Sequence, residues 1–284
     1  MACIIDGKRI SADIREKLKI DIANLKVERG IVPSLAVVIV GDDPASRVYV
    51  NNKKRACDEI GIMSYEFALP CDTSQAELLS LIDELNRRAD VNGILVQMPL
   101  PAHINESSVI ERINPIKDVD AFHEINVGKL MTGNFKFLPC TPAGIVRLLD
   151  ESNIDIAGKH CVIIGRSNIV GKPLAMLMLH RDATVTICHS KTSNLAEICR
   201  TADILVSAVG RANFVTSDMV APGTVVIDVG INRSGDGKIR GDVDFENVKQ
   251  VASYITPVPG GVGPMTICML MHNAVTAALL QSGD

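Results

Sequence analysis

The chain lacks the cysteine and histidine spacings that usually mark a disulfide framework or a metal site. Its eight cysteines include no C-x-x-C pair and lie mostly inside apolar runs, and its six histidines include no H-E-x-x-H spacing. Reduced thiols in the core of a cytosolic protein explain these cysteines better than disulfides or zinc do. We therefore expect a cytoplasmic protein without a bound metal.

Two segments that would change the class of protein are also missing. Residues 1–8 lack the basic region, apolar core and small-residue cleavage site of a secretory signal. The longest apolar stretch, residues 265–280, contains Thr266, His272, Asn273 and Thr276 and falls short of a bilayer span. We interpret this stretch as a buried helix.

The chain carries little excess charge of either sign. A net charge of -4 and a pI near 5.9 provide no basic field for nucleic acid or an anionic membrane. The 47% hydrophobic and 22% charged residues are typical of a globular protein, and 284 residues suffice for about two domains. The expected partner is therefore a small, soluble molecule.

Helices and strands alternate along the first half of the chain. Asp43 precedes Pro44 as a helix cap, and Ser74 and Glu77 have the spacing of a capping box. The β-branched run that ends at Gly41 is typical of a buried strand. The predicted elements are a helix at 12–26, a strand at 34–41, a helix at 44–60, a helix after Ser74 and a strand at 93–101.

The second half shows the same alternation more plainly. A helix at 138–153 bridges the halves, and the last helix begins at Met265. Such a pattern predicts an α/β fold with mainly parallel sheets, and a Rossmann-like second domain that binds ligands at the carboxyl ends of its strands. The predicted strands of this half are 160–165, 184–188, 203–210, 224–230 and 253–256.

Residues 165–173, GRSNIVGKP, share features with two phosphate-binding loops and match neither. In a P-loop the second glycine would come one residue earlier than Gly171, and a hydroxyl would replace Pro173, so nucleoside-triphosphate hydrolysis is excluded. The dinucleotide fingerprint G-x-G-x-x-G also fails, because Ser167 occupies the second glycine position. An apolar strand, a glycine-rich turn and a helix start nevertheless favour anion binding here.

The residues after the next strand indicate which dinucleotide binds. Folds that prefer NAD usually present an acidic residue about 20 residues beyond the glycine turn. Residues 188–192, CHSKT, offer a hydroxyl and a cation instead, and Arg166 lies in the turn. These groups favour an extra phosphate on the ribose, so NADP is the predicted cofactor. The alternative is a tight strand-to-helix turn with a solvated arginine.

Tyr49 and Lys53 lie four residues apart on a predicted helix, so their side chains share one face. A partly desolvated lysine has a lowered pKa and can exchange protons, although a surface pair extended by Lys54 and Arg55 is the alternative. Short-chain dehydrogenases have the same spacing, but their nucleotide turn precedes the pair. Here the order is reversed, which places the pair and the glycine turn in different domains.

Five segments, taken in their order along nearly the whole chain, carry a resemblance. They are YVNNK (49–53), VQMPLP (96–101), KDVDAF (117–122), GRSNIVGKP (165–173) and ITPVPGGVGPMT (255–266). Together they closely resemble the bifunctional methylenetetrahydrofolate dehydrogenase/methenyltetrahydrofolate cyclohydrolase family. The last segment is the most specific, because its prolines and glycines make a rigid, turn-rich loop.

The resemblance implies a site residue by residue. Lys53 matches the family's catalytic lysine, Tyr49 its neighbouring phenol, and Gln97 the amide that orients the lysine. Asp120 matches the catalytic-site carboxylate that binds the amino-pyrimidinone edge of the pterin, and Ser46 lines the same pocket. The other implied contacts are Pro259, Gly260 and Gly261 to folate, and Gly165, Arg166, Ser167, Ser190 and Ile231 to NADP.

The resemblance also implies domain roles. Residues 1–140 would form the folate-binding catalytic domain, onto which helix 265–284 packs back, and residues 141–264 the NADP-binding domain, with the active-site cleft between them. The implied reactions are NADP-dependent oxidation of 5,10-methylenetetrahydrofolate and hydrolysis of the product to 10-formyltetrahydrofolate. A cytoplasmic homodimer that serves one-carbon metabolism and purine biosynthesis is expected. Ala121 replaces a usual glycine, which would restrict its loop if the family conformation needs a positive φ.

Two other interpretations remain open. The chain could be an NADP-dependent dehydrogenase for another small substrate, or a noncatalytic sensor that binds NADP. Supplying methylenetetrahydrofolate and NADP+ separates them, because oxidation with accelerated decay of the methenyl product supports the bifunctional enzyme. Oxidation alone supports the second interpretation, and binding without oxidation supports the sensor.

Overall fold

The computed structural model describes residues 1–233 and 237–283. By its internal contacts the chain divides into two compact units. We call Asp13–Cys140 with Ile267–Asp284 the three-stranded unit, and Met1–Ala12 with Thr141–Thr266 the six-stranded unit. The names refer to the sheet that each unit contains.

The regular elements follow one another in chain order. Those of the first half are β1 (Cys3–Ile4), α1 (Gly7–Arg29), β2 (Ser34–Val40), α2 (Pro44–Ile60), β3 (Met63–Leu69), α3 (Gln75–Arg87), β4 (Gly93–Val96), α4 (Glu106–Arg112) and α5 (Glu124–Met131). Those of the second half are α6 (Cys140–Glu151), β5 (His160–Ile164), α7 (Gly171–Leu179), β6 (Thr184–Cys188), α8 (Leu195–Cys199), β7 (Ile204–Ser207), a 3-10 turn (Ser217–Met219), β8 (Val225–Asp228), β9 (Asn232–Arg233), β10 (Ile239–Arg240), α9 (Phe245–Val248), β11 (Tyr254–Ile255) and α10 (Val262–Gln281).

The three-stranded unit contains a parallel sheet in the order β3–β2–β4. Every residue of the central strand β2 is buried, whereas residues of the edge strand β3 are exposed or half-buried. Apolar side chains cover both faces of β2: one face contacts α10 residues such as Met271, and the other contacts α3 residues such as Ile82. This double cover explains why β2 is a continuous apolar run.

The six-stranded unit contains a second parallel sheet, in the order β1–β11–β8–β7–β5–β6. Strand β5 lies between its successor β6 on one side and β7 on the other, so the strand order reverses at β5. In doubly wound sheets, ligands bind at the carboxyl ends of strands next to such a reversal. The chain places its glycine turn there.

The structure confirms the predicted helices and strands, with small changes at their ends. Helices α1 and α10 are longer than predicted, and α10 begins at Val262 instead of Met265. Helix α10 is apolar and long enough to cross a membrane by composition alone, yet more than half of its apolar window is buried in the protein. The sequence analysis groups residues 1–12 with residues 13–140. In the structure residues 1–12 belong to the six-stranded unit, because β1 pairs with β11.

Candidate active site

The first predicted site residues lie on α2. Asp43 begins this helix, because its Oδ2 accepts a hydrogen bond from the Ser46 backbone N–H at 2.7 Å, and Pro44 occupies the first turn. Tyr49 and Lys53 follow one turn apart and are both partly exposed. Ser46 is only 5% exposed, so little of its surface is available to a ligand.

A hydrogen bond joins Lys53 to Gln97, the residue directly after β4. Lys53 Nζ donates to Gln97 Oε1 at 2.9 Å, and Gln97 Nε2 donates to the Met98 carbonyl at 2.6 Å. The backbone N–H of Gln97 donates to the Val38 carbonyl at 2.8 Å. These bonds engage both polar atoms of the side-chain amide and hold its oxygen towards the lysine. Because an amide is neutral, it adds no net charge beside the amine. The structure brings these two predicted residues together.

Lys53 and Asp120 interact as a partly buried charge pair. Burial lowers the pKa of Lys53, and the negative charge of Asp120 opposes that change. Burial also raises the pKa of Asp120 to about 6, while the Lys53 cation opposes the rise and the Asp118 charge adds to it. Each pKa is shifted towards neutral pH, where proton exchange with a substrate is easiest.

The loop that carries Asp120 is held by its neighbours. Asp118 Oδ2 accepts hydrogen bonds from His123 N at 2.9 Å and Asn126 Nδ2 at 2.8 Å. The Ala121 N–H donates to the Asp118 carbonyl at 3.2 Å, and Ala121 has a φ of 58°. The positive φ that favours glycine is therefore present at the position where this chain has alanine.

Two residues to which the sequence analysis gave no role also contact this loop. Asn273 of α10 donates through Nδ2 to the carbonyls of Val119 and Leu138, each at 2.8 Å. Cys140 Sγ donates to the Val119 carbonyl at 3.5 Å and lies 3.9 Å from Asp120 Oδ1. Burial raises the pKa of the Cys140 thiol well above its usual range, so it is a neutral donor and not a nucleophile.

No signal in the sequence marks these two contacts. In the sequence Asn273 is one of several polar residues that interrupt an apolar helix, and Cys140 is one of the expected core thiols. Both are buried, as that interpretation expects. Their role follows only from the fold, which brings α10 and the start of α6 to the Asp120 loop.

The glycine turn follows β5, as predicted. Gly165 has a φ of 129°, and a Cβ there would lie 2.5 Å from the Ala208 carbonyl oxygen. A Cβ at Gly171 would collide with the Gly165 carbonyl, so both positions require glycine. Ser167 Oγ accepts hydrogen bonds from Val170 N at 3.1 Å and Gly171 N at 3.4 Å. Ser167 therefore fixes the first amides of α7.

Arg166 and Ser190 come from neighbouring turns. Strands β5 and β6 pair in parallel, and the Gly165 N–H donates to the Cys188 carbonyl at 2.9 Å. Arg166 and Ser190 are exposed in the turns that directly follow these strands, and residues 189–194 include no acid. The structure thus places at one edge of the sheet the cation and the hydroxyl that the sequence analysis assigned to a ribose phosphate.

The remaining predicted contacts also belong to the six-stranded unit. Ile231 follows β8 and is 45% exposed. Gly260 has a φ of 111°, and its carbonyl accepts a hydrogen bond from Lys8 N at 2.9 Å. Pro259 is exposed, whereas Gly261 is buried. The predicted folate contacts therefore fall into two groups, because the lysine and its partners lie in the three-stranded unit.

Fold and site together define a class of protein. A doubly wound sheet with a glycine turn at its point of reversal is a dinucleotide-binding fold, and the lysine and carboxylate with shifted pKa values are typical of acid–base catalysis. Residues 1–233 and 237–283 contain no group of three or more His, Cys, Asp or Glu side chains suited to a metal. The chain is a dinucleotide-dependent enzyme by these criteria.

Comparison with known proteins identifies the family. Residues 5–120 match the catalytic domain of the tetrahydrofolate dehydrogenase/cyclohydrolase family, and residues 139–282 match its NAD(P)-binding domain. The chain therefore belongs to this family, as its motifs predicted. The expected pair of α/β domains, one of them Rossmann-like, is confirmed.

Similar proteins cover the chain from end to end. The bifunctional protein FolD of Acetivibrio thermocellus is 60% identical over 281 residues, which are 99% of this chain and 98% of that protein. The bifunctional methylenetetrahydrofolate dehydrogenase/cyclohydrolase of Campylobacter jejuni is 52% identical with a TM-score of 0.96, over 99% of both chains. The Trypanosoma brucei enzyme, solved with NADP cofactor and inhibitor, is 36% identical with a TM-score of 0.95, over 100% of this chain and 99% of that one.

Proposed function

We propose that this chain catalyses two successive reactions of folate one-carbon metabolism. It oxidises 5,10-methylenetetrahydrofolate to 5,10-methenyltetrahydrofolate with NADP+, and it hydrolyses that product to 10-formyltetrahydrofolate. The cluster of Lys53, Gln97 and Asp120 carries the proposal, because it supplies acid–base chemistry in a chain that also has an NAD(P)-binding domain. We assign the pterin to the three-stranded unit and NADP to the six-stranded unit.

The carboxyl ends of β5 and β6 suit NADP. Gly165 and Gly171 leave room for the backbone to approach a pyrophosphate at the turn between β5 and α7. Arg166 and Ser190 offer a cation and a hydroxyl to the ribose phosphate, Ser167 orders the turn, and exposed Ile231 offers an apolar contact. When bound, NADP+ supplies the acceptor for the hydride that leaves the methylene carbon.

Asp120 is the residue we assign to pterin recognition. With a pKa of about 6, its carboxylate is mainly ionised at neutral pH. Two oxygens of one carboxylate can accept hydrogen bonds from the two ring donors of the amino-pyrimidinone edge. The partly exposed side chain makes it available to a ligand. Ser46, Pro259, Gly260 and Gly261 complete the proposed folate contacts.

Lys53 is the residue we assign to acid–base catalysis. Because burial lowers its pKa, a larger share of the amine is neutral and can accept the proton of the water that attacks the methenyl carbon. The same proton can then reach the ring nitrogen as its bond to that carbon breaks, and the second proton of the water is released as the formyl C=O forms. Gln97 holds the amine through an uncharged oxygen, and Tyr49, one turn away, shares or orients the proton.

A two-stage absorbance assay tests the proposal. Methylenetetrahydrofolate is supplied with NADP+ or NAD+, reduced cofactor is followed first, and the decay of methenyl absorbance is followed next. We expect NADP-dependent oxidation and a decay faster than in buffer. Oxidation without faster decay would leave a simple dehydrogenase, and binding without oxidation would leave a sensor, so either result rejects the bifunctional assignment.

We further propose a cytoplasmic homodimer whose product serves purine biosynthesis. The similarity of the whole chain to bifunctional FolD proteins is the observation behind this proposal. Light scattering after gel filtration measures the mass directly, and a value near 30.5 kDa, the mass of one chain, would contradict the dimer.

A further inference from the structure

Asp242 is a buried carboxylate outside the residues that the family motifs single out. It is 0% exposed and follows β10. Its Oδ2 accepts hydrogen bonds from Val209 N at 2.7 Å and Gly210 N at 3.2 Å, and its Oδ1 accepts one from Arg211 N at 2.9 Å. Three consecutive backbone amides therefore converge on one side chain.

Side-chain donors complete the shell of this carboxylate. Asn232 Nδ2 donates to Oδ1 at 2.9 Å, and Ser207 Oγ donates to Oδ2 at 3.3 Å. A buried charge is costly unless such donors surround it, and consecutive amides that point inward form a ready anion site. Asp242 occupies that anion site from within the protein and thereby fixes the path of residues 207–211.

The loop that Asp242 fixes lies beside the glycine turn. Ala208 N donates to the Ile164 carbonyl at 2.9 Å, and its carbonyl oxygen lies where a Cβ on Gly165 would be only 2.5 Å away. The loop thus forms one wall of the turn at which the strand order reverses. A shift of this wall would change the space next to Gly165.

The same carboxylate also binds the segment after β8. Its partner Asn232 directly follows Ile231, which we assigned to NADP, and the backbone N–H of Asp242 donates to Asp228 Oδ1 at 2.8 Å. Asp242 therefore connects the carboxyl ends of β7 and β8, two neighbouring strands at the ligand-binding edge.

We propose that Asp242 is a positioning residue for the cofactor: it holds the β7 loop in the shape that NADP binding requires. This inference rests on the proposed use of NADP by the six-stranded unit. It predicts an effect confined to the cofactor, because hydrolysis of methenyltetrahydrofolate needs the folate site and no dinucleotide. A residue that only supports folding would weaken both activities together.

The test compares Asp242→Asn with Asp244→Asn in the full chain. Asparagine keeps the shape of aspartate but offers one acceptor oxygen in place of two. Asp244 is a matched control, because its carboxylate accepts a hydrogen bond from Asn247 and none from the β7 loop. The KM for NADP+ and the fluorescence-measured Kd for NADPH are determined, together with hydrolysis of added methenyltetrahydrofolate without dinucleotide.

We expect Asp242→Asn to raise the KM and Kd roughly tenfold or more, since losing charge-assisted bonds commonly costs that much. Hydrolysis by Asp242→Asn should stay within roughly twofold of wild type, and so should oxidation and hydrolysis by Asp244→Asn. A folded Asp242→Asn protein with wild-type affinity for NADPH would overturn the inference. A wild-type chain that binds NADPH but oxidises no folate would reject the proposed function instead, and the Kd comparison would still decide the role of Asp242.

Gly210→Ala decides the question if Asp242→Asn does not fold. Gly210 has a φ of 65° and open space around a new Cβ, so alanine strains only the loop backbone. A raised Kd for NADPH with unchanged hydrolysis supports the positioning role of this loop, and an unchanged Kd overturns it.

Discussion

Two carboxylates, one in each unit, have nearly the same pKa for the same main reason. Burial raises the pKa of Asp120 to about 6 in the three-stranded unit, and it raises the pKa of Asp228 to about 6 in the six-stranded unit. By this measure alone, both are candidates for a functional site. Their hydrogen bonds separate them.

Asp228 has used its acceptor capacity on the protein backbone. Its Oδ1 accepts from Gly230 N at 3.0 Å and Asp242 N at 2.8 Å, and its Oδ2 accepts from Val243 N at 2.9 Å. Within residues 1–233 and 237–283, the partners of Asp120 are a thiol at 3.9 Å and the charge of a neighbouring amine. A shifted pKa therefore marks a candidate ligand site only where the group still has acceptors free for a ligand's donors.

Removing the amine beside Asp120 should have the largest effect on catalysis. Lys53→Met keeps much of the side-chain volume but leaves no group to exchange protons, so we expect the hydrolysis rate to fall by roughly 10²- to 10⁴-fold. Decay of methenyltetrahydrofolate measures it. Lys54→Met, the same change at an exposed neighbour, should hydrolyse at the wild-type rate. Wild-type hydrolysis by Lys53→Met would refute the assignment.

Removing the other carboxylate should affect stability and leave folate chemistry intact. Asp228→Ala leaves three buried N–H groups without their acceptor, each worth about 1–3 kcal/mol, so the free energy of unfolding should fall by about 3 kcal/mol or more. Urea titration followed by circular dichroism measures the loss. Asp120→Ala is the comparison, and it should lose folate affinity with a smaller loss of stability. Equal destabilisation by both variants would erase the distinction between the two acids.

The sequence predicts a role for Asp120 but none for Asp228. Lys53, Gln97 and Asp120 are predicted site residues because each lies in a short motif, and caps and apolar runs predict the helix and strand that carry the first two. Asp228 and Asp242 also lie in short runs, but their role depends on which backbone amides the fold brings to them. Those amides belong to residues 209–211, 230, 242 and 243, and no local sequence pattern indicates that the fold brings them to the two carboxylates.

The elements that were missed have a similar cause. Strand β1 has two residues and β3 is a half-exposed edge strand, so neither has the buried apolar run that identifies β2. Asn273 interrupts an apolar helix, and only the packing of α10 shows that its amide binds the Val119 and Leu138 carbonyls. Interior polar contacts between distant segments are thus the part that sequence patterns do not give.

The pH dependence should separate the two acids by what each one controls. Protonated Asp120 loses its paired acceptors, so kcat/KM for the folate substrate should fall about tenfold per pH unit below a pKa near 6. For Asp228 the folded pKa of about 6 lies above the ordinary 3.8, so its contribution to stability is full below about pH 4 and is lost as the pH rises through 6.

Profiles of kcat/KM and of unfolding free energy against pH measure these two effects. Asp228→Asn should keep the fall of kcat/KM at acid pH and should remove the contribution of Asp228 to the pH dependence of the unfolding free energy. Asp120→Asn should instead lose the fall of kcat/KM at acid pH. Loss of that fall in Asp228→Asn would reverse the assignment of the two groups.

The smallest expected effect comes from Ala121→Gly, which tests how firmly the Asp120 loop is set. Glycine relieves the strain of a φ of 58°, worth about 1–2 kcal/mol, but it adds about 0.4–1 kcal/mol of backbone entropy to the unfolded chain. It also removes a methyl group that is 1% exposed in the core of the three-stranded unit. These contributions oppose one another, so stability should change by less than about 1 kcal/mol. The KM for folate should stay within roughly twofold, because hydrogen bonds to Asp118 and from Asn273 already hold the loop. A large rise in KM would show that the alanine itself, and not those bonds, sets the position of the Asp120 carboxylate.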